Sequence, residues 1–141
     1  MVRRKGKGNS GFTLVEIMLV VIIIGALAMM VVPRLSGRSE QAKIAVARAD
    51  VEATLATALK LYELDNGNFP TTSQGLEALT VQPTSSPVPK NWNGPYVEKK
   101  PMDPWGNSYE YRSPGEHRSD YDLYSRGKDS NSDEDDITNW E

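Results

Sequence analysis

Cysteine is absent from the 141 residues, which excludes a disulfide scaffold and a thiolate zinc site. Histidine occurs once, at His117, in a Pro-Gly-Glu-His-Arg-Ser-Asp stretch. Nothing beside it makes a triad or a metal pair, and it reads as a surface loop residue. No P-loop, G-x-G-x-x-G, G-x-S-x-G or HExxH is found. Among 19 acidic residues only Glu16 has the apolar neighbours that tune a general acid, and its segment is a poor place for catalysis. The expectation is that the chain is not an enzyme. Positive charge is sparse beyond the start. Arg3, Arg4, Lys5 and Lys7 all precede Gly11, and without them the formal charge moves from -3 to about -7. That balance excludes a basic nucleic-acid patch in the remainder.

What is present begins with one long apolar segment. Phe12 to Val32 is 21 residues, of which only Thr13 and Glu16 are clearly polar. A helix of that length spans roughly 30 Å, the thickness of a bilayer core. A cleaved secretory signal fits poorly: the run is long, it holds an acid, and no A-x-A-like site follows it. Residues 12–33 are therefore expected to form a transmembrane helix segment. Residues 1–11 are basic, Gly-rich and without an apolar pattern, and the positive-inside rule places them in the cytoplasm. Glu16 is the anomaly, because a carboxylate in hydrocarbon costs several kcal/mol. Gly25 and Pro33 mark a stretch where the helix can kink or unwind.

Residues 34–66 continue as a helix outside the membrane. Two stripes recur at helical spacing. One is small: Ala42, Ala45, Ala49, Ala53 and Ala56. The other is larger: Ile44, Val51, Leu55, Ala58 and Tyr62. Either the two face different partners, or both face one core. Asp65-Asn66-Gly67 supplies a left-handed cap.

Residues 67–141 read as a small head. A helical turn is expected over Ser73–Leu79, and the Pro-rich run 83–89 forbids regular structure. Strand candidates are Tyr96-Val97, Tyr109–Tyr111 and Tyr121–Tyr124, with a strong turn at Asp103-Pro104-Trp105-Gly106-Asn107. The expected class is α+β, a long N-terminal helix packed on a small antiparallel sheet. Such a head has too small a core to stand without extra fastening.

That fastening is sought in residues 125–140, where Asp129, Asp133, Glu134, Asp135 and Asp136 fall within eight residues. A charge run is usually a solvated tail. Here Gly, Ser and Asn interrupt the acids, and Ile137 and Trp140, which call for burial, follow them. Hard oxygen ligands in a turn suit Ca²⁺. Asp129-x-Asn131-x-Asp133 mimics the start of an EF-hand loop. Glu134 at the sixth position and Trp140 at the twelfth depart from that pattern, so a calcium loop of another kind is expected.

Gly11-Phe12-Thr13-Leu14-Val15-Glu16 after a basic leader resembles the class III signal of type IV pilins and pseudopilins. The resemblance implies cleavage by a prepilin peptidase between Gly11 and Phe12 and N-methylation of Phe12. Thr71-Thr72-x-Gln74-Gly75-Leu76-Glu77-Ala78-Leu79, Asp103–Asn107 and Asp135-Asp136-Ile137-x-Asn139-Trp140 resemble the major pseudopilin family of type II secretion. That family implies a type IV pilin-like fold whose C-terminal loop binds calcium. Mapped by motif, Asp129, Asp135 and Asp136 give side-chain oxygens, and Arg126 and Asp133 give carbonyls. It also implies a homopolymeric periplasmic filament that drives exoproteins through an outer-membrane secretin. Minor pseudopilins and an inner-membrane platform would be further partners. Glu16 would then neutralise a neighbour's Phe12 amine. The alternatives are a type IV pilin, a minor pseudopilin, or a single-pass anchored domain that does not assemble.

Overall fold

The structure is a computed structural model that describes residues 11–141, with backbone alone for residues 31–36. Of the basic leader expected at residues 1–11, all but Gly11 lies outside the described residues. The chain divides into two compact units, the first ending at Ser39 and the second running Glu40–Glu141.

Helix α1 (Leu14–Ala49) is unbroken across Gly25 and Pro33. The expected weak stretch is therefore helical in this subunit. Every large apolar side chain described between Phe12 and Met30 is exposed, from 48 % at Val20 to 82 % at Phe12. Among the described residues no helix is long and apolar enough to cross a membrane. The side chains described on this stretch of α1 stop at Met30, short of the Pro33 boundary expected for the span.

A wide π-helical turn (Asp50–Thr54) follows α1, and α2 (Leu55–Asn66) completes the rod. The sequence reading expected α-helix throughout. Ala47, Val51, Leu55 and Leu59 are all at most 3 % exposed, and each lies four residues from the next. Four residues overshoot an α-helical turn by about 40°, so Leu59 would point about 120° away from Ala47. A wider turn holds more residues and returns all four to one face. Ile44, expected on the buried stripe, is 40 % exposed, and among the described residues full burial along the helix begins at Ala47. Ala42, Ala45, Ala49 and Ala53 are exposed and Ala56 is partly so. The two stripes thus face different sides. Gly67 ends α2 at φ 80°, its N–H donating to the Glu63 carbonyl at 2.7 Å, as the left-handed cap requires.

The sheet has three antiparallel strands, β1 (Glu110–Arg112), β2 (Asp122–Ser125) and β3 (Ile137–Thr138), in the order β1-β2-β3. Tyr111 pairs with Leu123 and Arg112 with Asp122, while Ser125 pairs with Ile137. Alternation along β2 turns Leu123, 0 % exposed, toward the helix and Asp122 and Tyr124 to the opposite face. Val51, Leu55, Leu59, Tyr62, Leu79, Tyr109, Tyr121 and Leu123 form the core. Tyr96-Val97, expected as a strand, is not one. Both of its N–H groups donate to the single Leu79 carbonyl, at 2.7 and 3.3 Å, which closes a loop and leaves no ladder to extend. Strand β3 was not anticipated.

Candidate functional site

At the N-terminal end, Gly11 to Thr13 precede α1 and are exposed. Thr13 and Glu16 close a reciprocal pair. The Glu16 N–H donates to Thr13 Oγ1 at 3.2 Å, and the Thr13 N–H donates to a Glu16 carboxylate oxygen at 3.4 Å. This is a capping box, which satisfies two of the donors that every helix start leaves open. The T-x-x-E spacing that signals it was legible in the sequence. The acid therefore has a local partner within its own subunit, one residue from Phe12.

At the C-terminal end, the loop after β2 is built from short-range bonds. Asp129 Oδ1 accepts from the Asn131 N–H at 3.1 Å and from its side-chain amide at 3.3 Å. Ser132 caps a 3-10 turn, Asp133–Asp135, by accepting the Glu134 N–H. Gly127 has φ +64°, and its Cα lies so close to the Asp135 backbone that a Cβ would collide with the Asp135 carbonyl oxygen. Asp129, Asp133 and Asp135 are exposed, as is Arg126. Asp136 differs. Its Oδ1 is buried without a hydrogen-bond partner. Burial first, then the charges of Asp133 and Asp135, hold its carboxyl above the usual carboxylate range despite the attraction of Arg126. Among the described residues no three carboxylate, histidine or cysteine side chains converge as a metal site in this conformation. The predicted ligands thus share one loop without sharing one point. The unpartnered Asp136 oxygen and the close Gly127–Asp135 contact still fit a hard cation, which would supply the missing partner.

Two polar networks that the sequence did not disclose hold this loop. Asp103 is 4 % exposed. Its Oδ1 accepts the N–H of Trp105 at 3.1 Å and of Asn107 at 2.8 Å, and its Oδ2 accepts the Ser125 hydroxyl at 2.7 Å. Ser125 Oγ in turn accepts the Gly127 N–H at 3.1 Å. The Trp105 indole N–H donates to Glu40 Oε1 at 2.8 Å.

The second network centres on Asp122, also 4 % exposed. It accepts the N–H of Glu116 at 2.7 Å, of His117 at 3.0 Å and of Arg118 at 3.0 Å, and it bonds His117 Nδ1 at 3.0 Å. Burial pushes this carboxyl up, but the converging backbone amides outweigh it and bring it down to about 2. His117 is exposed, as expected of a loop, yet it is not isolated. Its ring stacks on Trp140 at 4.1 Å with 3° between planes, and Tyr124 meets Trp140 edge-on. Asn139 straps the terminus down by bonding Leu123 N–H and the Tyr121 carbonyl.

A long helix with a bare apolar start, a small antiparallel head and a strapped acidic terminus is the architecture of a pilin-like filament subunit. In line with that, the fold resembles the crystal structure of the major pseudopilin from the type 2 secretion system of enterohaemorrhagic Escherichia coli. The TM-score is 0.66 at 38 % identity, covering 75 % of this chain and 89 % of that one. Residues 6–32 match the model of the prokaryotic N-terminal methylation motif. Residues 34–140 match the type II secretion system (T2SS), protein G model. Relatives described as type II secretion system core protein G include one from Pseudomonas aeruginosa, 53 % identical over 94 % of this chain and 96 % of that protein. Another, from Escherichia coli K12, is 52 % identical over 92 % and 90 %. A third, from Vibrio cholerae, is 45 % identical over 97 % and 95 %. The chain belongs to the type II secretion protein G family, the major pseudopilins.

Proposed function

We propose that this major pseudopilin is anchored in the bacterial inner membrane by residues 12–33. Its N-terminus is cytoplasmic and its head periplasmic. After prepilin peptidase cuts between Gly11 and Phe12 and methylates Phe12, copies polymerise into a periplasmic filament that pushes folded exoproteins toward the secretin. Minor pseudopilins and the inner-membrane platform are the expected assembly partners. The role is structural, not catalytic.

One observation carries this reading. The chain presents a row of exposed apolar side chains from Phe12 to Met30, interrupted only by Thr13 and the single acid Glu16 among clearly polar residues. Contiguous apolar surface on that scale needs lipid or another copy to cover it. In hydrocarbon, Glu16 and a cationic amine stabilise each other where neither is tolerated alone. The capping box supplies the resting partner that Glu16 exchanges for the amine of a neighbour. Glu16→Ala should still insert in the membrane but fail to form filaments. Normal filaments from that variant, seen by electron microscopy of sheared cells, would refute the exchange.

Calcium completes the reading. Asp129, Asp135 and Asp136 would hold Ca²⁺ with the carbonyls of Arg126 and Asp133. The support is the oxygen-only donor set and the unpartnered Asp136 Oδ1. The ion would add charge neutralisation to a loop whose acids otherwise repel each other.

A further inference from the structure

We propose that Asp103 is a positioning residue that couples cation binding in the C-terminal loop to the contact between Trp105 and Glu40. This rests on the calcium reading above.

The two oxygens of Asp103 serve different parts of the head. Oδ1 is held by the Trp105 and Asn107 amides of its own turn, and Oδ2 is held by Ser125 at the end of β2. Ser125 passes the connection on by accepting the Gly127 N–H. The Trp105, Asn107 and Ser125 donors converge on the one buried carboxylate, and the Gly127 N–H donates to Ser125 Oγ, so the Gly127–Ser125 and Ser125–Asp103 bonds polarise each other. A carboxylate buried to this degree needs its donors kept in place. Its two oxygens are fixed in one plane, so a shift at one is transmitted to the other.

The loop end rests on a close backbone contact. Gly127 lies against the Asp135 backbone at φ +64°, a conformation that glycine adopts readily. Because the two backbones touch, drawing Asp135 onto a cation shifts Gly127, and with it Ser125. At the other end the Trp105 indole is fastened to Glu40 on α1. Ordering of the loop reaches Glu40 by this route, and linkage requires the converse. Losing the Trp105–Glu40 bond must weaken the cation by the factor that the cation tightens that bond.

The test uses the full chain in detergent, carrying 5-fluorotryptophan at Trp92, Trp105 and Trp140 and assigned by single Trp→Phe variants. Calcium chloride is titrated while calorimetry follows binding and ¹⁹F NMR follows each indole. The Trp105 resonance should move along the calorimetric curve. Trp92, whose indole N–H donates to the Ala78 carbonyl, should stay still. Glu40→Ala should weaken calcium about fivefold, at the low end of measured couplings. Glu40→Gln, which keeps the acceptor, should restore it. In a Ser125→Ala background, calcium should still bind, Trp105 should stop responding, and Glu40→Ala should have no further effect. A static Trp105 during calorimetric binding overturns the coupling alone, as does an unchanged affinity in Glu40→Ala. Absence of calcium binding in the calorimeter overturns the calcium reading and this inference with it.

Discussion

Replacing Asp122 with asparagine tests how the head is fastened without any metal. Both oxygens of Asp122 accept bonds from donors: Oδ1 from the Arg118 N–H, and Oδ2 from the Glu116 and His117 N–H groups and His117 Nδ1. An amide must set its NH₂ against one of these groups whichever way it is turned, so flipping offers no escape. The native carboxyl lies at about 2, against an ordinary 3.8. At roughly 1.4 kcal/mol per unit that depression contributes about 2 kcal/mol near neutrality. Leaving a buried donor facing a donor adds about 1–3 kcal/mol more. The loss for Asp122→Asn should therefore be about 3–5 kcal/mol, which lowers the melting temperature of a head this size by on the order of 10–30 °C. The sign with pH follows from the depressed carboxyl. Its contribution is complete above the ordinary carboxylate pKa near 4 and disappears as pH falls from there through about 2. Thermal unfolding of residues 34–141 by circular dichroism, at pH 7 and in steps down to pH 2, measures both. A variant melting within about 3 °C of the wild type at pH 7 would refute the argument, and so would a gap that does not narrow toward pH 2.

Three further outcomes are expected. Gly127→Ala forces a side chain into the left-handed region and against the Asp135 carbonyl. It should cost more than about 1 kcal/mol in chemical denaturation and blunt any response to calcium. Calcium should raise the melting temperature of the wild-type head, and chelator should reverse the rise, as mass action on a folded-state ligand requires. Identical midpoints in both conditions would count against the ion. Ala53→Leu on the exposed small-residue stripe should leave the denaturation midpoint of the subunit within about 0.5 kcal/mol while reducing filament yield.

The sequence disclosed features that have local causes. The Gly67 cap, the Asp103–Asn107 turn and strands beside Tyr109 and Tyr121 rest on residue chemistry within a few positions, and all were legible. The π-turn was not. Four-residue spacing of Val51, Leu55 and Leu59 reads as ordinary helix until the head selects one face. Strand β3 was hidden because Ile137-Thr138 is too short to show a period, and only its pairing with Tyr124 and Ser125 defines it. The candidate site was legible as a composition and not as a geometry. The five acids of the loop are visible in the chain, but the separate burial of Asp136 depends on how the terminus is strapped. Asp122 and Asp103 looked like any other acids, although they are the ones placed under the densest donors. The Thr13–Glu16 capping box was readable and was overshadowed by the signal that contains it.

The π-turn has a consequence for how such rods can diverge. It acts as a phase offset between the helix surface before Asp50 and the surface after Thr54. Rewinding it as α-helix with no residue lost would swing the alanines at 42, 45 and 49 by about 120° relative to the core that Leu55, Leu59 and Tyr62 anchor. Deleting one residue there leaves about eleven α-helical steps from Ala47 to Leu59, within about 20° of three full turns. A single-codon deletion in this turn thus shortens the subunit while leaving the angular setting of a polymer contact almost intact, whereas the same deletion elsewhere in the helix would rotate that setting by about 100°.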